Sequence, residues 1–340
     1  NIKVSDIPIT SNVWNTAWFP MGNVALGRTI EVDQDLTIDG LEVRMTTNDA
    51  TFVVKPGVTL TIINSTLLAF CGEMYEGIIV EDGGTLIVLN SSILDARTAI
   101  KATGVNAVVQ VDNSSFFERN KEHISLTSLQ NANTFIQNST FSHQQTLLDA
   151  TIPFSQRKSI LLNNCILTNP ISFNTFLTGE KGVFTLNSRI DIFDNTFSQH
   201  SLAVEARGGN TNNFRLVRIH RNTFSGNALC IFFGDKVSGT VRLNIFNHLV
   251  STTSFTPREI VCQNNNNTTA TAHNIQIGNN IFNNYQRDAI LMLNNANMNF
   301  EINSNTFNAV STWTLENHKP RAINIVEPSL TSLAILKDRK

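Results

Sequence analysis

A short apolar pattern recurs along the whole chain and restricts its fold more than any other feature. Anchored on their last apolar residue, the copies end at Val43, Leu67, Ile93, Phe116, Phe141, Ile166, Phe197, Phe224, Phe246, Phe282 and Phe307. Five places before each anchor stands an aliphatic residue: Ile38, Ile62, Val88, Val111, Ile136, Leu161, Ile192, Ile219, Val241, Ile277 and Ile302. The run from Leu36 to Val43 alternates apolar and polar residues, as a strand with one buried face does. A strand-like repeat of roughly 25 residues points to a solenoid in which each copy is one turn of a parallel β-helix. The rival solenoid, built on Leu-x-x-Leu-x-Leu, lacks its consensus here. The reading is therefore all-β, with about eleven turns.

The polar residues between the apolar ones say where each turn bends. Asparagine occurs 44 times in 340 residues. In the earlier copies the bend reads Asn-Ser, at Asn64, Asn90, Asn113 and Asn138. In the later ones Asn sits one place on, at Asn195, Asn222, Asn244, Asn280 and Asn305. Asn tolerates the left-handed conformation that a sharp corner needs, and stacked amides can bond to one another. All nine are expected to be structural corner residues. Two copies are overlong, at residues 167–190 and 247–276, and insertions in a solenoid often carry its binding function. The second contains the run Asn264, Asn265, Asn266 and Asn267, a candidate ligand-binding loop.

Residues 1–30 lack the pattern and hold Trp14, Trp18 and Phe19, which suits an N-terminal cap over an open apolar end. Residues 31–330 then form the β-helix, and residues 331–340 a C-terminal cap or truncated end. The start at Asn1 and the charged run at Lys337–Lys340 suggest a processed or trimmed piece of a longer chain, with other domains or a self-stacking filament as possible contexts. Charged residues are 15% and the net charge is -2, so no basic excess is present to neutralise nucleic-acid phosphates. No apolar run is long enough to span a membrane as a helix. The four cysteines lack metal-ligand spacing. Cys230 and Cys262 fall one residue out of step on neighbouring turns, and are expected to be separate buried thiols.

The repeat resembles the right-handed parallel β-helix family, whose degenerate copies read like the stretch from Ile192 to Phe197. The segments Trp14–Phe19, Gly57–Ile62, Asn64–Leu67, Cys71–Ile78 and Leu94–Ile100 are similar to β-helical surface proteins of Bacteroidetes. The resemblance covers residues 30 to 330 and implies a right-handed solenoid, secreted or displayed at the cell surface, with no reaction attached.

Polysaccharide lyases and hydrolases are frequent among β-helices, and their motifs can be looked for. Asp-Asp and Gly-His-Gly are absent, and Arg157 and Lys158 are adjacent rather than spaced as Arg-x-Lys. The best catalytic candidates are Asp191 and Arg218, at the same outward position on consecutive turns, with His220, Arg221, Glu205 and Arg207 near them in register. Together they offer an acid, a cation and an imidazole. A weaker group is Glu118, Lys121, His123 and His143, with Glu118 and His143 each two places past an anchor. No metal site is indicated, and calcium is left open without a supporting motif. The expected role is a non-catalytic adhesin-like or stalk module binding a polysaccharide or a surface protein, the rival being an enzyme acting on an acidic polysaccharide.

Overall fold

The computed structural model describes residues 1–7, 12–70, 72–208, 216–248, 258–264, 273–285, 287–295, 298–309, 321–326 and 334–337. Among the described residues the regular elements are strands, apart from two short 3-10 helices, Val4–Asp6 and Phe154–Gln156. Most copies of the repeat make three of them, the second and third running together in Thr175–Leu186 and in Thr196–Arg207, and the strands pair in parallel with their counterparts one copy away. Such connections wind right-handed because the strands themselves twist that way. The fold is a parallel β-helix of about eleven turns, divided into two units, Asn1–Gly179 and Glu180–Lys340. Among the described residues no helix is long and apolar enough to cross a membrane.

In the first unit the opening strand of each coil runs through Leu36–Asp39, Thr59–Ile63, Thr85–Leu89, Val108–Asp112, Phe135–Gln137 and Ile171–Ser172. Alternation sends Ile38, Ile62, Val88, Val111, Ile136 and Ile171 inward in one register, each at most 1% exposed. The second strand aligns Val43, Leu67, Ile93, Phe117, Phe141 and Phe176. Two expected anchors therefore move. At Asn113 and Ser114 two consecutive left-handed residues lengthen the corner, so Phe117 rather than Phe116 turns inward. The next shift is larger: Phe176 pairs with Phe141, whereas Ile166 is only half-buried and Leu161 lies outward opposite Ser125. The extra residues of this coil lie between Phe141 and Phe176, as an excursion over 143–157, and not across 167–190 as expected. The N-terminal segment read as a cap carries three strands in register with the next coil, and Trp14 takes the inward place opposite Ile38.

In the second unit the opening strands align Ile192, Ile219, Val241, Ile277 and Ile302. The second strands align Phe197, Phe224, Phe246, Phe282 and Phe307. Their rings stack 4.7–5.1 Å apart within 9° of parallel, because one coil rises about 4.8 Å. Gly239 interrupts the apolar pattern for a packing reason: a Cβ there would lie 2.3 Å from the Phe233 ring, which fills the space instead. Burial of each such side chain contributes about 1.5–3 kcal/mol.

Most corners between the first two strands of a coil share a design: a residue with positive φ is followed by one whose side chain turns inward and bonds the rung below. In the first unit Asn64, Asn90, Asn113 and Asn138 are left-handed, as expected. The buried Ser65, Ser91 and Ser115, which follow Asn64, Asn90 and the doubled corner Asn113–Ser114, accept, respectively, the backbone N–H groups of Leu41, Ser65 and Ser91. In the second unit the left-handed residues are Asp194, Arg221, Leu243, Asn279 and Ser304. Asn195, Asn222, Asn244, Asn280 and Asn305 are the followers, so the expectation that these five adopt the left-handed conformation is corrected. Their amides form an internal ladder: Asn222 Oδ1 accepts from both the backbone N–H and Nδ2 of Asn195, and Asn222 Nδ2 donates to Ile192 O and Asn244 Oδ1.

Candidate functional site

The sequence-derived catalytic candidates separate in space. Asp191 and Arg218 do face each other on adjacent opening strands. Arg218 Nε and Nη2 donate to the two carboxylate oxygens of Asp191 at 2.6 Å each. One corner away Arg221 grips Asp194 in the same bidentate way, at 2.9 and 2.6 Å. His220 stacks on Phe193 with centroids 5.2 Å apart, and partial burial, opposed by Asp191, lowers its pKa. Glu205 is not part of this group. It lies on Thr196–Arg207 opposite Phe232, in the other sheet from Asp191. It is buried and held by Lys181 at 2.5 Å and by Arg207. The two carboxylates therefore cannot share a substrate across one face.

The second predicted group also changes character. Because the anchor is Phe117, Glu118 pairs with Ser142 and accepts its hydroxyl at 2.9 Å. His123 and His143 are buried rather than solvated, their rings stacked on each other at 4.2 Å, with Phe117 and Phe141 6.1 and 5.9 Å from His123. Cys165, Cys230 and Cys262 are buried thiols. Cys262 aligns with Phe233, three residues along from Cys230 and not one. Cys230 Sγ donates to the buried Glu259 carboxylate at 2.8 Å, with His248 Nδ1 3.5 Å from its other oxygen. Among the described residues no group of three or more His, Cys, Asp or Glu is arranged to hold a metal ion. Asn265, Asn266 and Asn267 lie outside the described residues, and Asn264 is described only as the end of the strand Arg258–Asn264.

What the repeat pattern did not single out is a cleft in the first unit, made by the excursion after Phe141. Leu147 and Ile152 pack on Met74 in a small apolar cluster apart from the main core. Gln145 Oε1 accepts from Arg119 Nη1 at 3.0 Å, while Arg119 forms two bonds to the buried Asp95 at 2.6 and 2.8 Å. Asp95 holds Arg119's pKa above its usual value, against the cost of burial. Asp149 Oδ1 accepts the backbone N–H and hydroxyl of Thr151, at 3.0 and 2.6 Å. Those bonds lower the carboxyl pKa, and the charge of Arg97 adds to the effect. Between the excursion and the coils beneath it is a cavity of about 300 Å³ lined by Asn48, Gly72, Glu73, Met74, Arg97, Leu148 and Asp149. Carboxylates, a guanidinium, an amide and two apolar side chains meet there. The signal available in sequence was the unequal spacing of the anchors around Phe141, blurred because Ile166 mimics an anchor.

No family model matches the chain, and no curated protein matches it by sequence. Among solved structures it is similar to the Dettilon tailspike protein, at 16% identity and a TM-score of 0.47 over 98% of this chain and 70% of that one. It is also similar to the family 28 exopolygalacturonase of Yersinia enterocolitica, at 9% identity and a TM-score of 0.46 over 98% of this chain and 77% of that one. The A-module of the Azotobacter vinelandii mannuronan C-5 epimerase gives 10% identity and a TM-score of 0.26, over 99% of this chain and 100% of that one. It is the ladders of this chain, rather than these likenesses, that make it a parallel β-helix.

Proposed function

We propose that this chain is a non-catalytic β-helical binding module, secreted or held at the cell surface, that engages a polysaccharide or a surface protein at the cleft beside residues 143–157. The observation that carries the reading is the division of labour among its polar groups. The charged side chains that the repeat lines up outward are paired across rungs: Asp191 with Arg218, Asp194 with Arg221, and Lys55 with Glu81. An acid with both oxygens engaged by one guanidinium has its acceptor sites turned to the neighbouring rung rather than to a substrate. The cleft instead gathers hydrogen-bonding groups of both kinds with an apolar wall, the composition of a recognition site.

Incubation with polygalacturonate and alginate, followed by absorbance of unsaturated product and by reducing ends, is expected to show no turnover. Immobilised polysaccharides and intact cells are expected to retain the protein. Turnover that Arg218→Ala abolishes would overturn the non-catalytic reading.

A further inference from the structure

We propose that the cleft beside the 143–157 excursion is a saccharide subsite for a neutral or amine-bearing sugar and that it discriminates against uronates. This assignment rests on the binding-module reading above and names the ligand class of the same site. The volume, about 300 Å³, lies at the small end of ligand pockets and suits the tip of a glycan rather than a long polymer segment. The lining supplies what a sugar ring asks for. Glu73 and Asp149 can accept from neighbouring hydroxyls or an amine, and Thr151 occupies Oδ1 of Asp149, leaving Oδ2 as an acceptor. Arg97 and the Asn48 amide donate. Leu148, 39% exposed, stands beside the buried Met74 and offers an apolar surface to the C–H face of a ring.

Charge decides the class. Two carboxylates face one guanidinium across the cavity, and Arg97 is already 3.5 Å from a third carboxylate, Glu76. A uronate would bring another negative charge into a site whose own balance is negative, whereas a hydroxyl or ammonium group would find acceptors. The cleft is also built before a ligand arrives. Gln145 is tied to Arg119, and Leu147 and Ile152 rest on Met74, so little ordering remains to oppose binding.

The test uses the full chain and calorimetric titration with oligomers of mannose, N-acetylglucosamine, glucosamine and galacturonate. Binding of at least one neutral or amino-sugar oligomer is expected, with Arg97→Ala and Glu73→Gln each weakening it about tenfold or more, while Arg221→Ala leaves it unchanged. Glu73→Gln keeps the side-chain shape, and unaltered thermal melting of both variants separates lost binding from lost folding. Binding confined to galacturonate oligomers overturns the ligand class. Neutral-sugar binding that neither variant alters overturns the cleft as the site, here and in the reading above, and leaves only the non-catalytic binding role standing. Absence of binding to every oligomer overturns the subsite, while the turnover assay decides the broader reading independently.

Discussion

Two kinds of asparagine do different work in this molecule, and single substitutions should tell them apart. Asn90 is left-handed, with φ 45°, and its exposed amide donates to Asn64 Oδ1 at 2.8 Å. Asn90→Gly should be nearly neutral, and Asn90→Ala should cost about 1–2 kcal/mol through the strain a Cβ meets in that conformation. Asn222 is buried, and Asn222→Ala would strand the Asn195 N–H and the Ile192 carbonyl away from water. That substitution should cost about 3 kcal/mol, and urea denaturation of the three variants would rank them. His200 adds a pH dependence. Burial lowers its pKa from 6.5 to about 4, only partly offset by the Asn227 amide oxygen 3.3 Å away. The unfolded chain therefore takes up the proton first. This contribution to stability is complete above about pH 6.5 and is lost progressively as the pH falls toward 4, by up to roughly 3 kcal/mol. A variant His200→Gln should flatten that part of the stability profile; an unchanged slope between pH 6.5 and 4 would contradict the assignment.

At the scale of the strand and the loop, the stacked phenylalanines and the excursion respond to different perturbations. Phe224 is fully buried between Phe197 and Phe246, with ring centroids 5.1 and 4.9 Å away. Phe224→Ala leaves a cavity and two rings without a partner, and should cost about 3–5 kcal/mol. The excursion hangs on fewer contacts. Arg119→Ala would unpair the buried Asp95 and release Gln145, which should cost roughly 3 kcal/mol and expose residues 143–157 to limited proteolysis sooner than the coils. Strand register was legible wherever the corner length is constant, because a one-residue change reverses every side chain. It failed at Phe116 and Ile166 for that reason. The doubled corner at Asn113 and Ser114 and the excursion after Phe141 shift the phase without changing the local apolar pattern.

For the molecule as a whole, a chain with 25 basic and 27 acidic residues has little net field with which to attract a charged partner, and recognition falls to local geometry. The outward ion pairs serve as rung-to-rung fastenings of small individual value. Arg218→Ala should lower stability by less than about 1 kcal/mol, since exposed pairs contribute little, and should leave saccharide binding intact; thermal melting and titration together would check both. The sequence by itself determined the winding, the inward apolar rows and the position of most corners, because period and alternation act through neighbours along the strand. Only the tertiary structure decided that Glu205 is buried away from Asp191, that His123 and His143 stack inside, and that Arg97, Glu73 and Asp149 meet in one cleft. These relations join residues whole coils apart, and a single excursion of uncertain length is enough to hide them from any pattern read along the chain.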